Sequence, residues 1–190
     1  MTQFILVRHG QTEWNRVERF RGRADIELNQ TGLEQARAAA ERLARSGASA
    51  VYSSPLKRAL VTARTIAEPL GLSARSEPAL LDMDYGEWQG LTIEDVARQD
   101  ALYATWITSP HLVKFPGGEG LEELRSRVMR CLDSLVQTHR DQTVILVSHQ
   151  VVCKTVVCAL LGLDNSHFWQ VTQDVCAVNM FEMSEAGILV

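Results

Sequence analysis

Short apolar runs alternate with longer amphipathic segments along the chain. Residues 4–7 and 143–147 are apolar runs flanked by polar residues, which is the pattern of strands buried on both faces. Residues 29–45 and 122–139 repeat apolar side chains at helical spacing. Alternation of such strands and helices is typical of layered α/β proteins. The pattern therefore predicts a three-layer α/β sandwich, with a mainly parallel sheet and helices on both faces.

Weaker patterns predict the remaining elements. Further strands are expected over residues 48–52, 73–77, 177–183 and 188–190, and further helices over residues 54–68, 93–98 and 150–161. Ser54 can cap the first of these helices, with Pro55 in its first turn. The last strand is expected at an edge of the sheet, and most of the stretch from residue 78 to residue 120 is expected to be irregular.

Length and composition indicate one ordinary globular domain. The 190 residues, 46% of them hydrophobic, suffice for one core but not for two ordinary domains, so we expect a single domain over residues 1–190. No run approaches the roughly 18–20 apolar residues of a membrane helix. The net charge of −4 argues against a general nucleic-acid binder, because such proteins usually carry a basic face. We therefore expect neither a membrane nor a nucleic acid as partner.

The N-terminal segment and the cysteines indicate the compartment. The start of the chain lacks the basic lead-in and the cleavage site of a secretion signal. The cysteines show no CxxC pair and no zinc-like spacing; they are Cys131, Cys153, Cys158 and Cys176. Three of them lie in apolar surroundings, where a reduced and buried thiol is expected. These features favour a cytoplasmic location.

Two predicted strands end at a histidine. His9 follows the apolar run at residues 4–7, and His149 follows the run at residues 143–147. Ligands of open α/β sheets bind beyond the carboxyl ends of the strands, so the two side chains can meet over one pocket. Either histidine alone is equally well explained by a structural role near a helix start. Two histidines in matching contexts favour a shared functional site.

Two arginines strengthen this interpretation. Arg8 precedes the first histidine, and Arg58 lies one turn into the helix that follows the second strand. Guanidinium groups bind phosphate through paired hydrogen bonds, and a helix N-terminus favours an anion. Most arginines on helices are solvated, and a solvated position on the helix face is the alternative for Arg58. Together with the histidines, the arginines predict a small cationic site for a phosphate group.

The motifs around these residues resemble those of the histidine phosphatase superfamily, the group around the cofactor-dependent phosphoglycerate mutases. The matching segments are residues 6–15 (LVRHGQTEWN), 19–22 (RFRG), 28–36 (LNQTGLEQA), 53–59 (SSPLKRA), 84–90 (DYGEWQG) and 147–149 (VSH). They occur in the order of the family and span most of the chain. An Arg-His-Gly triplet alone is a weak signal, whereas this series is specific.

The resemblance implies a reaction through a phosphohistidine, without a metal and without a cofactor. His9 is expected to be the nucleophile, which divides one difficult displacement into two easier ones. The groups expected to hold the phosphoryl oxygens are the side chains of Arg8, Arg58, His149 and Asn15 and the backbone around Arg21 and Gly22. The histidines also lack the spacing of metal ligands.

The resemblance further implies a carboxyl group that protonates the leaving oxygen and later deprotonates a water. In the family this group is usually a glutamate four residues before the glycine of the matching Tyr-Gly segment. Asp82 occupies that position here. Aspartate is shorter by one carbon–carbon bond, about 1.5 Å, so the backbone must come closer or a water must bridge. Asp84 is the rival candidate, for which we expect a structural role.

Hydrolysis is expected rather than mutase activity. The mutases of the family are typically longer and carry an inserted basic segment that grips a bisphosphate. Residues 90–118 contain only Arg98 and Lys114 as basic side chains besides His111. The alternatives are a cofactor-dependent phosphoglycerate mutase and, if Asp82 marks a degraded site, a phosphate-binding regulatory module. A P-loop or dinucleotide-binding domain is disfavoured because GxxxxGK[ST] and GxGxxG are absent.

Two further segments indicate the substrate. Residues 109–119 and 165–169 look similar to bacterial metal-independent phosphoserine phosphatases of this superfamily. The expected partner is therefore a small phosphorylated metabolite that bears a carboxylate, such as phosphoserine, and Arg21 and His111 are expected to bind that carboxylate. Family members often dimerise, so a homodimer is also expected.

Overall fold

A computed structural model describes residues 1–184 and 187–189, and these residues form a six-stranded sheet. The strands are β1 (Thr2–Arg8), β2 (Ala48–Ser53), β3 (Ala74–Ser76), β4 (Thr143–Ser148), β5 (Val178–Ser184) and β6 (Gly187–Leu189). Their order is β3-β2-β4-β1-β5-β6. The first four in this order are parallel, whereas β5 pairs antiparallel with β1 and β6 antiparallel with β5. The predicted mainly parallel sheet is confirmed.

Helices cover both faces of this sheet. They are α1 (Glu13–Arg16), α2 (Gln30–Leu43), α3 (Lys57–Ala67), α4 (Ile93–Gln99), α5 (Leu102–Thr108), α6 (Leu121–Thr138) and α7 (Gln150–Leu160). Phe4 and Leu6 of β1 pack in the core shared with α6 and α7, whereas Ile5 and Val7 pack in the core shared with α2 and α3. Alternate side chains of a strand point to opposite faces, so β1 contributes to both cores. The predicted three layers are confirmed.

Strands β1 and β4 lie side by side and in register at the centre of the sheet. Arg8 lies opposite Ser148, and the backbone N–H of His9 donates a hydrogen bond of 2.9 Å to the Ser148 carbonyl oxygen. Parallel strands end at the same edge of a sheet, so the residues that follow β1 and β4 meet there. The register therefore places His9 beside His149.

The expected helix cap at Ser54 is wrong by two residues. Helix α3 begins at Lys57, and the extended residue before it is Leu56. The backbone N–H of Lys57 donates instead to the carboxylate of Asp25, 2.7 Å away in a distant loop. The Ser54 hydroxyl is 2.8 Å from Nε2 of His149. Tertiary hydrogen bonds thus take the place of the local cap.

Helix α5 lies in the stretch that was expected to be irregular. Its sequence, LYATWIT, is rich in aromatic and β-branched residues, which have modest intrinsic helix propensity. Trp106 is only 2% exposed and packs against the rings of Tyr85, Phe115 and Phe168. Packing with residues distant in the chain, rather than local propensity, stabilises this helix.

The C-terminal strands follow the prediction. β5 and β6 pair at one end of the sheet, which confirms an edge strand near residues 188–190, although Val190 lies outside the described residues. At the opposite edge, β3 confirms the weak strand expected over residues 73–77. None of the helices in the described part of the chain has the length and apolar character needed to cross a membrane.

Close backbone packing joins the loop after β1 to helix α2. A Cβ atom on Gly32 would lie 2.1 Å from the carbonyl oxygen of Gln11, and one on Gly10 would lie 2.5 Å from the carbonyl oxygen of Gly32. The Asn29 side chain caps α2 by accepting a hydrogen bond of 2.9 Å from the N–H of Gly32. The first turn of α2 therefore determines the position of the loop that follows His9.

We expect Gly32→Ala to lower the free energy of unfolding by about 1–3 kcal/mol, because the added methyl group must displace backbone atoms. Urea denaturation measures this change. Thr31→Ala, at an exposed position in the same turn, is the matched control and should stay within about 0.5 kcal/mol of wild type. Equally small changes in the two variants would contradict the close packing.

Candidate active site

His9 and His149 lie together at the carboxyl ends of β1 and β4. Their ring centroids are 5.1 Å apart, and the ring planes are inclined by 61°. The two residues are 1% and 0% exposed. The structure thus brings together the two histidines that follow matching apolar strands.

The imidazole of His9 is held as a neutral ring with one free nitrogen. Nδ1 lies 2.6 Å from the carbonyl oxygen of Gly10. A carbonyl oxygen only accepts hydrogen bonds, so Nδ1 carries the proton and the lone pair lies on Nε2. Burial lowers the pKa of His9 well below its ordinary value, and the nearby cations Arg58 and Arg8 lower it further. A neutral imidazole with a free Nε2 can act as a nucleophile at neutral pH.

The imidazole of His149 has the same tautomer for a different reason. The Ser54 hydroxyl oxygen accepts a hydrogen bond from the backbone N–H of Leu56, so its own hydrogen can be donated to Nε2 of His149. Nδ1 of His149 then carries a proton, has no hydrogen-bond partner among the described residues, and lies 3.7 Å from the Asp82 carboxylate. Burial and the charge of Arg58 lower the pKa of His149 well below its ordinary value. His149 can therefore donate a hydrogen bond while it remains neutral.

Arg58 is a fully buried cation beside the histidines. Its guanidinium donates hydrogen bonds of 2.6 and 2.7 Å to the carbonyl oxygens of Ala24 and Gly22 and one of 3.1 Å to Asp82. Burial lowers the pKa of Arg58, and the Asp82 carboxylate opposes that change. The alternative of a solvated surface arginine is wrong for this residue. In the structure, the backbone carbonyl oxygen of Gly22 accepts a hydrogen bond from Arg58.

Arg8 is a second buried guanidinium in this cluster. Its Nη1 donates to the carbonyl oxygen of Gln173. Burial, followed by the charge of Arg21, lowers the pKa of Arg8 to about 10, so the group stays protonated at neutral pH. The Nε atoms of Arg8, Arg21 and Arg58 are buried and have no partner within the described chain. Buried donors without partners are unusual in proteins, and such donors suit an anionic ligand.

Asp82, rather than Asp84, supplies a carboxylate to this cluster. Asp82 is buried beside Arg58, and its Oδ1 accepts a hydrogen bond of 3.0 Å from the backbone N–H of Met83. The Asp84 carboxylate instead accepts from the N–H of Gly86 at 3.0 Å and pairs with Arg23 at 3.0 Å. Asp84 therefore has the contacts of a structural residue.

Arg127 of α6 supports the segment of Asp82 and was not identified from the sequence. Its guanidinium donates to the carbonyl oxygens of Ala79 and Asp82 at 2.6 and 3.2 Å and pairs with Glu119 at 2.7 Å. Arginine at an interior position of an amphipathic helix is ordinarily solvated, so the sequence holds no signal for this role. The contact fixes the backbone on which the Asp82 carboxylate stands.

A cavity of about 330 Å³ adjoins the cluster. Its polar lining consists of Arg8, Asn15, Glu18, Arg19, Arg21, Asp82, Gln150 and Lys154. Its apolar wall consists mainly of Ile93, Tyr103, Trp106, Ile107, Phe168 and Trp169. Asn15 accepts hydrogen bonds of 2.9 Å from the N–H and the hydroxyl of Thr12, which leaves its amide NH2 available as a donor. Arg21 donates to the carbonyl oxygen of Trp14 at 3.2 Å. Asn15 and Arg21 thus both line the cavity, and their expected roles in binding the substrate stay predictions.

His111 is not brought to this cavity. It lies in a short 3-10 helix, Pro110–Leu112, where its side chain is exposed and outside the cavity lining. Pro110 is the buried residue of this turn and His111 the exposed one, so the expected contact of His111 with a substrate carboxylate stays a prediction that the cavity does not support. Lys154, which was not among the predicted site residues, lines the cavity. No group of three or more His, Cys, Asp or Glu side chains suited to a metal ion occurs among the described residues.

The chain is similar in sequence to known proteins. The model of the histidine phosphatase superfamily (branch 1) matches residues 4–190. Phosphoserine phosphatase 1 of Hydrogenobacter thermophilus is 39% identical over 186 residues, which are 97% of this chain and 88% of that protein. The metal-independent phosphoserine phosphatase of Arabidopsis thaliana is 37% identical over 160 residues, or 82% of this chain and 67% of the plant protein.

Solved structures agree with the family match. Bacillus stearothermophilus YhfR superposes with a TM-score of 0.95 at 28% identity, over 100% of this chain and 95% of that one. A phosphoserine phosphatase of Entamoeba histolytica in complex with 3-phosphoglyceric acid superposes with a TM-score of 0.89 at 27% identity, over 100% and 94% of the two chains. The fold is therefore phosphoglycerate mutase-like, as the resemblance implied.

The depressed pKa values of His9 and His149 predict acid sensitivity. Below the unfolded-state value of about 6.5, the unfolded chain takes up protons that the native state does not bind. Stability should therefore be greatest above pH 6.5 and fall as the pH drops below it, by up to about 1.4 kcal/mol per pH unit for each histidine. Urea denaturation between pH 5 and 7.5 measures this slope.

Two variants isolate the contribution of His9. His9→Gln should reduce the slope, because the variant has no imidazole to titrate at that position. His111→Gln, at the exposed histidine, should leave it close to that of wild type. An unchanged slope in His9→Gln would show that His9 is not kept neutral by its surroundings.

Proposed function

We propose that this chain, which belongs to the histidine phosphatase superfamily and is a phosphomonoesterase, hydrolyses small phosphate esters that bear a carboxylate, with phosphoserine as the first candidate. The observation that carries the proposal is the neutral His9, whose Nδ1 is held by the Gly10 carbonyl oxygen and whose ring lies near the buried cations Arg58 and Arg8. The reaction uses a phosphohistidine intermediate and requires neither a metal ion nor a cofactor.

In the first step, Nε2 of His9 attacks the phosphorus atom. A nitrogen–phosphorus bond forms while the bond from phosphorus to the ester oxygen breaks. The guanidinium groups of Arg8 and Arg58 neutralise the charge on the phosphoryl oxygens, as fixed cations and donors do in other phosphoryl transfers. The unpartnered Nδ1–H of His149 and the amide of Asn15 supply further hydrogen bonds. Arg21 adds a third positive charge to this cradle.

Asp82 moves the proton in both steps. In its protonated form, it gives a proton to the leaving oxygen, so that an alcohol rather than an alkoxide departs. The resulting carboxylate then takes a proton from water as that water attacks the phosphohistidine. The nitrogen–phosphorus bond breaks, inorganic phosphate leaves and Asp82 is protonated again. One carboxyl group thus serves as acid and then as base.

Names of relatives support the carboxylate-bearing substrate. The proteins from H. thermophilus and A. thaliana are phosphoserine phosphatases, and a mutant of the E. histolytica enzyme has been solved with phosphoserine. A mycobacterial neighbour is a glucosyl-3-phosphoglycerate phosphatase. All of these ligands combine a phosphate ester with a carboxylate. We assign the same class to the cavity of this chain.

The positions of the basic side chains favour hydrolysis over mutase activity. Arg98 pairs with Glu94, and Lys114 lies 2.5 Å from Glu123, in both cases on the surface. Neither Arg98 nor Lys114 lines the cavity. The segment between residues 90 and 118 therefore places no basic side chain on a second phosphate. Formation of 2-phosphoglycerate from 3-phosphoglycerate, without release of phosphate, would favour the mutase.

Wild type should hydrolyse p-nitrophenyl phosphate in the presence of EDTA, and His9→Ala should be slower by at least about 10³-fold, because the variant lacks the nucleophile. Release of nitrophenolate measures both rates. Brief incubation with a 32P-labelled ester should label wild type, but not His9→Ala, with an acid-labile phosphoryl group. His111→Ala is the matched control and should retain activity.

Two other outcomes would contradict this mechanism. Loss of wild-type activity in EDTA would transfer the chemistry to a metal ion. Binding of phosphate without turnover and without labelling would favour a regulatory module.

Asp82→Asn should slow hydrolysis of phosphoserine by about 10²–10⁴-fold, the usual contribution of a general acid–base group. Release of nitrophenolate in the first turnover should be affected less, because nitrophenolate leaves without a proton. Stopped-flow and steady-state assays measure the two effects. Asp84→Asn is the matched control, since its carboxylate bonds Gly86 and Arg23 outside the cavity. An equal loss in both variants would remove the special role of Asp82.

A further inference from the structure

Lys154 is a buried cation that the phosphoryl-transfer steps do not use. It lies on α7, is only 4% exposed, and lines the cavity together with Gln150, one turn earlier on the same helix. Its Nζ lies 4.1 Å from the ring centroid of Phe168 and 4.3 Å from that of Trp169. Within the described residues it has these ring contacts but neither a hydrogen bond nor an ion pair.

We propose that Lys154 determines specificity by binding the carboxylate of the substrate's leaving group. The inference rests on the proposed function, which places the phosphoryl group among Arg8, Arg58 and His9. It deepens that function by naming the side chain that recognises the carboxylate of the ester, a role expected of Arg21 and His111 from the sequence.

Lys154 is largely buried and carries a charge without a carboxylate partner in the described chain. Such a charge is unfavourable, and proteins ordinarily pair or hydrogen-bond it. Burial, and to a smaller extent Arg8, lowers the pKa of Lys154 to about 8, so the group remains mostly protonated at neutral pH. Cation–π contacts with Phe168 and Trp169 compensate only part of the lost hydration. A bound anion would supply the missing partner.

Lys154 lies near Arg8, one of the cations of the proposed phosphoryl site. Arg8 lines the same cavity and is close enough to affect the charge of Lys154. An anion at Lys154 therefore lies next to the phosphoryl site, which suits a carboxylate a few bonds away from the ester oxygen. Phosphoserine and 3-phosphoglycerate both have that arrangement.

The single positive charge of Lys154 indicates which kind of anion it binds. Lys154 brings one positive charge to its end of the cavity, and the ring contacts of Phe168 and Trp169 occupy space around its Nζ. One ammonium group matches a carboxylate monoanion better than a second phosphate dianion. The alternative is that Lys154 only packs against the two rings and supports the cavity wall, without recognising the substrate.

Matched pairs of esters distinguish recognition from support. Phosphoserine is compared with phosphoethanolamine, and 3-phosphoglycerate with glycerol 3-phosphate, because the members of each pair differ mainly in the carboxylate. Wild type should show a higher kcat/KM for the carboxylate member of at least one pair. Lys154→Met should reduce that preference by about ten- to hundredfold, mainly through KM, as expected for a lost charge-assisted hydrogen bond.

Two further variants serve as controls for this test. Lys114→Met removes an exposed lysine whose ion pair with Glu123 lies outside the cavity, and it should keep the wild-type preference. Lys154→Gln repeats the test with a polar side chain in case the methionine variant does not fold. An equal loss on both members of each pair, with the preference intact, would show that Lys154 is a supporting residue and would overturn the proposal.

Binding to an inactive protein separates failure of this inference from failure of the proposed function. In His9→Ala, calorimetry should show that Lys154→Met weakens phosphoserine at least about tenfold more than phosphoethanolamine. Wild-type turnover of p-nitrophenyl phosphate without any preference for a carboxylate would overturn the inference and leave the phosphatase intact. If wild type turns over no ester, the proposed function fails, and the calorimetric difference alone decides for or against Lys154.

Discussion

The buried guanidinium of Arg58 is the interaction on which the site depends. It joins the carbonyl oxygens of the loop at residues 22–24 to the carboxylate of Asp82, beneath the two histidines. A buried charge is tolerated only when most of its donors are paired, so these contacts fix several segments at once. After burial, this charge is the next largest cause that lowers the pKa values of His9 and His149. One side chain thus contributes both to the shape of the site and to the neutral state of its imidazoles.

The arrangement keeps like charges close together in the absence of substrate. Burial and, to a smaller extent, the charge of Arg21 lower the pKa values of Arg8 and Arg58, and each of the three arginines has a buried Nε without a partner in the described chain. Bringing these groups together is unfavourable, and the energy comes from the packed sheet and helices around them. In the proposed reaction, a phosphoryl group relieves the repulsion, and the relief is greatest when negative charge on its oxygens is greatest. This preorganisation is how fixed charges favour a transition state.

Local patterns sufficed for the centre of the site, whereas its outer wall depends on distant contacts. The two apolar strands, each followed by a histidine, are encoded in a few consecutive residues, so the meeting of His9 and His149 was predictable, although the register of β1 with β4 was not. Lys154 is buried because Phe168 and Trp169 fold back over it, and Trp106 in turn packs on both rings. No periodicity along the chain encodes such contacts.

The structure does not support two local expectations, for the same physical reason. The hydroxyl of Ser54 was expected to cap α3 but contacts His149, and the histidine expected at the substrate, His111, is turned outward while the neighbouring Pro110 is buried. In each case a contact with residues distant in the chain decides the outcome. Of the two segments chosen by similarity, residues 165–169 contribute Phe168 and Trp169 to the cavity wall, whereas residues 109–119 contribute none of its lining.

The aspartate at position 82 is compatible with catalysis because the backbone, rather than side-chain length, sets its position. Arg127 holds the carbonyl oxygen of Asp82, Met83 is fully buried, and the Asp84 carboxylate is tied to Gly86. An aspartate on so constrained a segment has fewer rotamers to lose than a glutamate would have. Its carboxylate is then already oriented by Arg58 and by the N–H of Met83. Greater preorganisation can offset shorter reach, since acid–base catalysis depends on position as well as on pKa.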